Sequence, residues 1–402
     1  MLTAPARTSA RPAGANADLA KRNAPVLMPA CKAPSDPRSS TVVRAQGTPE
    51  LPIAVIGRHK PTYKNANFPT DAEGRTYHLG TKEGEVAPRI LSVGSVGRAQ
   101  LLSTLLDPPA AGKTLFHRTS SRGFLTITGR YEGEPVSIVS THMGMPNMDF
   151  VVRENRAVVR GQMAIIRLGT CGAVQRPAKL GDLLIASHGS IGIRRDPDYW
   201  TLLDSESSLE HTNGHKQSNG SGGNGSANGH ANGHSGAAAA GGRKPYAVAL
   251  PVPADPQLAA LLSEEAARVV GAARVVQGLN ASADSFYSSQ GRTGTDFDDR
   301  NEGLLGELVA EHPDLVSLEM ETFQLLDLAR CSRGSIKAIG MCVALAERYS
   351  NAFLEYSKLE ELEIAGGTAA LRTLVRVPLD RQAPAVATAD IAEERAVQYV
   401  WD

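Results

Sequence analysis

Short apolar runs alternate with amphipathic stretches along most of this chain, and the alternation predicts strands followed by helices. Residues 90–94 (Ile-Leu-Ser-Val-Gly) read as a strand that leads into a helix over 98–106. Residues 124–131 and 136–140 read as strands of a hairpin turned at Glu132-Gly133, and 147–161 as a helix. Further strands are expected at 164–168, 182–186, 273–279 and, fully buried, 336–344. Helices are expected at 257–270, 301–311 and 320–331. Strands alternating with helices imply an α/β architecture, one sheet with helices on both faces. There is no internal repeat and no GxGxxG dinucleotide fingerprint.

Two stretches break the pattern. Residues 1–50 are rich in Ala, Pro, Ser and Arg, and their only acidic residues are Asp18, Asp36 and Glu50. Such a composition reads either as an organelle transit peptide, chloroplast among the destinations, ending near Val43-Arg44-Ala45, or as an unstructured extension with no address. A Pro- and Asn-containing connector follows over 51–75. Residues 204–243 carry a Gly/Ser/Asn-rich tract that cannot bury a core and is expected to be a disordered loop. His211, His215, His230 and His234 lie in it with no carboxylate or thiol at ligand spacing, so a solvated loop is expected rather than a metal tract. The chain thus divides into an extension (1–75), a single domain (76–380) interrupted by 204–243, and a tail (381–402).

Composition narrows the class. The 42 basic and 42 acidic residues cancel, which gives no reason to expect nucleic acid as a partner. No apolar run reaches membrane-spanning length. Cys31, Cys171, Cys331 and Cys342 are widely spaced and form no CxxC pair, which fits reduced thiols in an intracellular protein.

Four segments carry candidate chemistry. In Gly94-Ser-Val-Gly-Arg98 a strand runs into a helix; glycines let backbone approach an anion, helix N–H groups face it, and Arg98 adds a charged fork. A tight turn would explain the glycines equally well. In Arg167-Leu-Gly-Thr170-Cys-Gly172 a buried strand leaves an arginine that needs either an anion or a core carboxylate. Arg98 and Arg167 together would recognise one phosphate through bidentate contacts. In Glu319-Met320-Glu321, Glu321 can accept hydrogen bonds from neighbouring sugar hydroxyls with Met320 against the ring, or both acids simply favour a first helical turn. Gln290 and Arg292, two residues apart on what reads as extended chain, would point the same way and match uracil's two carbonyls and N–H, with Phe286 as a stacking face; the alternative is a surface turn with two solvated polar residues.

Taken together, in this order and at these spacings, the four motifs resemble those of uridine phosphorylases, within the nucleoside phosphorylase superfamily. The resemblance covers roughly 77–199 and 246–349. It implies a three-layer α/β/α fold with a mixed, partly barrelled central sheet. It further implies that Gly94, Arg98, Arg167 and Thr170 bind phosphate, and that Met320 and Glu321 bind ribose. Phe286, Gln290 and Arg292 would bind uracil, with Arg348 on a flap near the base. Arg122 and His78 resemble residues that reach a neighbouring subunit's phosphate and ribose, so at least a dimer with shared sites is implied. Arg98, Arg167, Glu321 and Arg292 would carry catalysis, with inorganic phosphate as co-substrate, no cofactor and no metal. Cys171 departs from the usual Thr or Ser, and Gly123 stands where bacterial members carry a cation-binding Glu. A purine-specific relative would need an Asp after the strand ending near Ala346; Glu347 is the nearest acid here. A non-catalytic nucleoside-binding or storage protein on the same fold is the remaining alternative.

Overall fold

A computed structural model describes residues 62–203, 243–294, 296–380 and 397–402. By contacts the chain separates at residues 59 and 60, and the unit before that point lies outside the described residues. So do the expected transit segment and nearly all of the 204–243 tract with its four histidines.

The centre is a pair of long parallel strands, β5 (Met163–Ala173) and β12 (Ile336–Glu347), in register from Ile336↔Met163 onward. On one side of β5 come β1 (Arg89–Val93), β4 (Glu134–Ser140), β3 (Leu125–Tyr131) and β2 (Phe116–Thr119). On the far side of β12 lie β6 (Leu183–Ile185) and then β9 (Val275–Gln277). The last residues of β5 also pair antiparallel with β11 (Leu315–Glu319), which continues into β10 (Leu279–Ala283), β7 (Ser190–Arg195) and β8 (Tyr246–Val248). A two-residue strand, β13 (Ala352–Phe353), pairs with the end of β12. The sheet is therefore mixed and forks at β5 without closing.

Alternation along the central strands sorts side chains between two helical layers. Leu91, Val93, Ile166, Leu168, Ile339 and Met341 face α1 (Val96–Ser103), α3 (Pro256–Val270) and α6 (Leu359–Arg376). Ile90, Ile165, Met163 and Ala338 face α2 (Met145–Val158) and α5 (Thr322–Cys331). A further helix, α4 (Leu304–Glu311), packs through Leu304 and Leu308 on the β7–β10–β11 branch. The result is three layers, α/β/α.

Local signals set most boundaries. Asp255 caps α3 by accepting from Leu258 N, with Pro256 in the first turn and Gly271 at φ 85° past the end. Several boundaries differ from expectation. Residues 169–173 continue β5 instead of turning, and β12 runs on to Glu347. The expected strand at 273–279 is a short 3-10 turn, then β9, with β10 beginning separately at Leu279. The helix expected from residue 301 starts at Leu304, and that from 320 starts at Thr322 because Glu319 still belongs to β11. After Tyr349, where the motif resemblance fades, the chain forms α6, whose Leu371 is fully buried against the sheet. Leu371→Ala should leave a cavity there and cost about 2–5 kcal/mol, read from the urea midpoint; a loss below ~1 kcal/mol would mean α6 is not part of the core.

Candidate active site

The site grows from the C-terminal half of β5. Arg167 is buried and its guanidinium folds back over Gly169, where any Cβ would collide with it. Three positions on, Gly172 leaves room for the stem of Arg348, which a Cβ would meet at 2.9 Å. The glycines of this motif thus serve close packing of two arginines rather than chain reversal. Thr170 is half-buried, and Cys171 points inward, where burial and then the neighbouring Cys342 push its thiol well above the ordinary range.

Arg167 has carboxylate partners. It donates through Nη2 to Glu321 and stands 3.4 Å through Nε from Glu319. Burial disfavours its charge, yet these two carboxylates hold its pKa above the usual guanidinium value. The core-carboxylate pairing weighed from the sequence is therefore present. The two acids differ in role. Glu319 accepts from Ser282 Oγ and from the backbone N–H groups of Glu321 (3.0 Å) and Thr322 (3.1 Å), so it satisfies the start of α5. Glu321 accepts from Gly144 N and Arg167 only. Burial pushes its carboxyl up against Arg167's pull. Met320, between them, is half-buried at the turn.

The end of β1 sits alongside, with Ser92 in register with Arg167 and Val93 with Leu168. Gly94 follows, and Ser95 caps α1 by accepting from Arg98 N at 3.2 Å. Arg98 bends back so that Nη1 lies beside Gly94 and donates to Leu168 O at 3.4 Å. Its Nε and Nη2 both meet Glu363 Oε1 of α6, at 2.7 and 2.6 Å. The loop from Thr141 to Gly144 joins these parts: His142 O lies by Gly94 and Gly144 N reaches Glu321.

The segment expected to be extended around Gln290 is a turn. Gly291 takes a left-handed φ of 60°, and Arg292 N donates to Tyr287 O at 3.0 Å. Gln290 and Arg292 still meet, Nη2 to Oε1 at 3.4 Å, because the turn brings them together rather than strand periodicity. Gln290 is buried; Phe286 is 46% exposed with the Arg292 guanidinium 3.9 Å above its ring. Arg348 donates to Gly291 O at 3.1 Å, and its buried Nη1 has no partner. Burial lowers the pKa of both arginines, and Arg292 lowers that of Arg348 further. Among the described residues neither is in a salt bridge with a carboxylate.

His78 and Arg122 form a separate group at the rim. His78 stacks on Phe150 at 3.7 Å and its Nδ1 lies 2.6 Å from Glu154 Oε1. Arg122 is exposed and donates to Tyr77 OH at 2.9 Å. The structure thus joins Gly94, Arg98, Arg167 and Glu321 in one cluster, and Phe286, Gln290, Arg292 and Arg348 in another that shares β5. Glu363 and Ser282 were missed by sequence reasoning. Only Ser282 carried a signal, as a hydroxyl two residues before Asp284 on a buried strand.

A family model, the phosphorylase superfamily, matches residues 88–372. The uridine phosphorylase of Thermococcus kodakarensis is 30% identical over 306 residues, 75% of this chain and 87% of its own. A DeoD-type purine nucleoside phosphorylase of a Geobacillus species is 37% identical over 114 residues only, 28% of this chain and 46% of its own. A structure from work on two uridine phosphorylases of the oomycete Phytophthora capsici superposes with a TM-score of 0.65 at 41% identity, covering 79% of this chain and 100% of that one. A Trypanosoma brucei nucleoside phosphorylase with uridine phosphorylase activity shares the fold at TM-score 0.58 and 21% identity, covering 77% of this chain and 100% of its own. With the motifs gathered around one forked strand and the family model spanning most of the described fold, the chain belongs to the phosphorylase superfamily.

Proposed function

We propose that the protein is a uridine phosphorylase, a pentosyltransferase that converts uridine and inorganic phosphate reversibly to uracil and ribose 1-phosphate. The observation that carries this reading is the pair Arg292 and Arg348, two cationic donors beside Gln290 with no carboxylate partner among the described residues. Such a subsite stabilises a leaving base that gains negative charge on its carbonyl oxygens, as uracil does. A departing purine would instead need an acid to protonate N7. Glu347, the nearest acid in sequence, accepts from Ser350 Oγ at 2.6 Å and from Leu180 N at 3.1 Å, and these bonds hold its carboxyl below the usual range. It stays ionised and is engaged in holding the flap. The relatives agree: the uridine phosphorylase match spans the fold, whereas the purine phosphorylase match spans less than half of that protein.

In this mechanism phosphate lies by Gly94, Arg98, Arg167 and Thr170 and attacks C1′. The C1′–N1 bond breaks, its electron pair leaves with uracil, and a C1′–O bond to phosphate forms. Glu321 accepts from the ribose hydroxyls and fixes the sugar with Met320 against it. Contacts to the departing base strengthen as its charge grows, so they favour the transition state over the bound substrate. No side chain becomes covalently attached, and phosphate is a co-substrate, not a cofactor. We further propose that His78 and Arg122 complete the site of a second copy, so that the working unit is at least a dimer. Arg122 is exposed and His78 half-buried, and neither is hydrogen-bonded to the Arg167 cluster, which supports this.

Arg98→Ala should lower phosphorolysis by about 10²- to 10³-fold with the fold retained, and phosphate-independent release of uracil by wild type would point to a hydrolase. Arg167→Ala should abolish activity and also destabilise by about 3–5 kcal/mol, because Glu319 and Glu321 would be left buried without their cation; unchanged thermal stability would contradict the pairing. Gln290→Ala should impair uridine turnover far more than any residual inosine turnover, and an equal loss would remove the base assignment. Inactive Arg122→Ala and Arg98→Ala subunits, mixed and reassembled, should regain activity through hybrid sites. Failure to regain it would place Arg122 outside a shared site.

A further inference from the structure

Glu363 lies on α6, a helix that none of the phosphate-site motifs includes, and it meets Arg98 across 265 residues of sequence. Two glycines explain how the helix comes so close. Gly366 and Gly367, three and four residues beyond Glu363, lie on the same helical face. Gly366 packs on Leu168, the residue after Arg167, where a Cβ would sit 3.0 Å from the leucine side chain. Gly367 packs on Leu102 of α1, and a Cβ there would collide with it. The face that presses on β5 and α1 therefore carries Glu363 one turn earlier, straight onto Arg98. Both side chains are largely removed from water, at 10% and 12% exposure.

The contact uses one edge of the guanidinium. Glu363 takes Nε and one hydrogen of Nη2, while Nη1, beside Gly94, donates one hydrogen to Leu168 O at 3.4 Å, so that one hydrogen on each of Nη1 and Nη2 is left for an anion. Arg has five donors in a fixed fork, so the carboxylate and a phosphate can be held at once on different edges.

We propose that Glu363 is a positioning residue for phosphate: it fixes the Nε edge of Arg98 so that the opposite edge faces the Gly94 turn. This rests on the phosphorolytic reading above. The rival is that Glu363 is a stand-in anion that phosphate displaces. The two differ in sign. If Glu363 positions Arg98, Glu363→Ala should raise the phosphate KM about tenfold with uridine KM unchanged, and Glu363→Gln, whose amide oxygen still accepts, should recover most of that loss. If Glu363 competes with phosphate, both variants should lower the phosphate KM, and the proposal is overturned. It is also overturned if Glu363→Ala leaves the phosphate KM unchanged, or if Gln fails to rescue while its thermal stability matches wild type. Should Glu363→Ala not fold, Glu363→Gln against Glu363→Lys gives the same comparison, with Lys expected to raise phosphate KM by repelling Arg98. Wild-type activity that does not depend on phosphate would defeat the phosphorolytic reading itself and is seen before any variant is made.

Discussion

Everything at the site depends on one buried cation. Arg167 sits inside the sheet with Glu319 and Glu321 as its partners, and none of the three could be buried alone at tolerable cost. Their pairing fixes the fork of the sheet, because Arg167 comes from β5 while both carboxylates come from the end of β11 and the turn after it. Ser282 on β10 and Gly144 at the start of α2 then attach to the same carboxylates. Four elements meet on one charge cluster, which lies where these strands end, the usual place for a ligand in an α/β sheet.

That cluster explains why the motif glycines are where they are. Gly169 is required because Arg167 lies over it, Gly172 because Arg348 lies over it, and Gly340 because Thr322 at the start of α5 packs into it. From sequence alone, Gly169-Thr170-Cys171-Gly172 reads as a turn that ends a strand. The strand in fact continues, and the missing Cβ atoms admit side chains from the strand itself and its neighbour. Local sequence cannot distinguish a glycine that turns the chain from one that admits a neighbour's side chain.

The same limit decides what else was legible. Arg167 stands out as a charge within an apolar strand, Arg98 and Glu321 as charges where a strand gives way to a helix, and Gln290 and Arg292 as an amide and a guanidinium two residues apart. Gln290 and Arg292 do converge, although through a left-handed glycine and not through strand periodicity. Helix α6 was hidden because its central Gly366-Gly367 lowers helix propensity, and only contact with Leu168 and Leu102 reveals why they are there. Glu363 was hidden for the same reason, since its meaning lies wholly in a partner far away in sequence.

Electrostatics completes the picture. Within the phosphate and ribose cluster, Arg98 and Arg167 face Glu319, Glu321 and Glu363, so carboxylates outnumber guanidiniums. A phosphate dianion entering this set meets correctly aimed donors but no surplus of positive charge. Aimed donors give orientation and transition-state preference, while net charge gives affinity. The exposed guanidinium of Arg122 meets, among the described residues, the hydroxyl and ring of Tyr77, and on the proposed shared site it would supply the positive charge the cluster lacks. The proposed base subsite shows the opposite balance, with Arg292 and Arg348 in no salt bridge with a carboxylate among the described residues, which suits a leaving group that becomes anionic only as the bond breaks. On the proposed function, one chain separates its charges into a compensated compartment for the anion that attacks and an uncompensated one for the anion that departs.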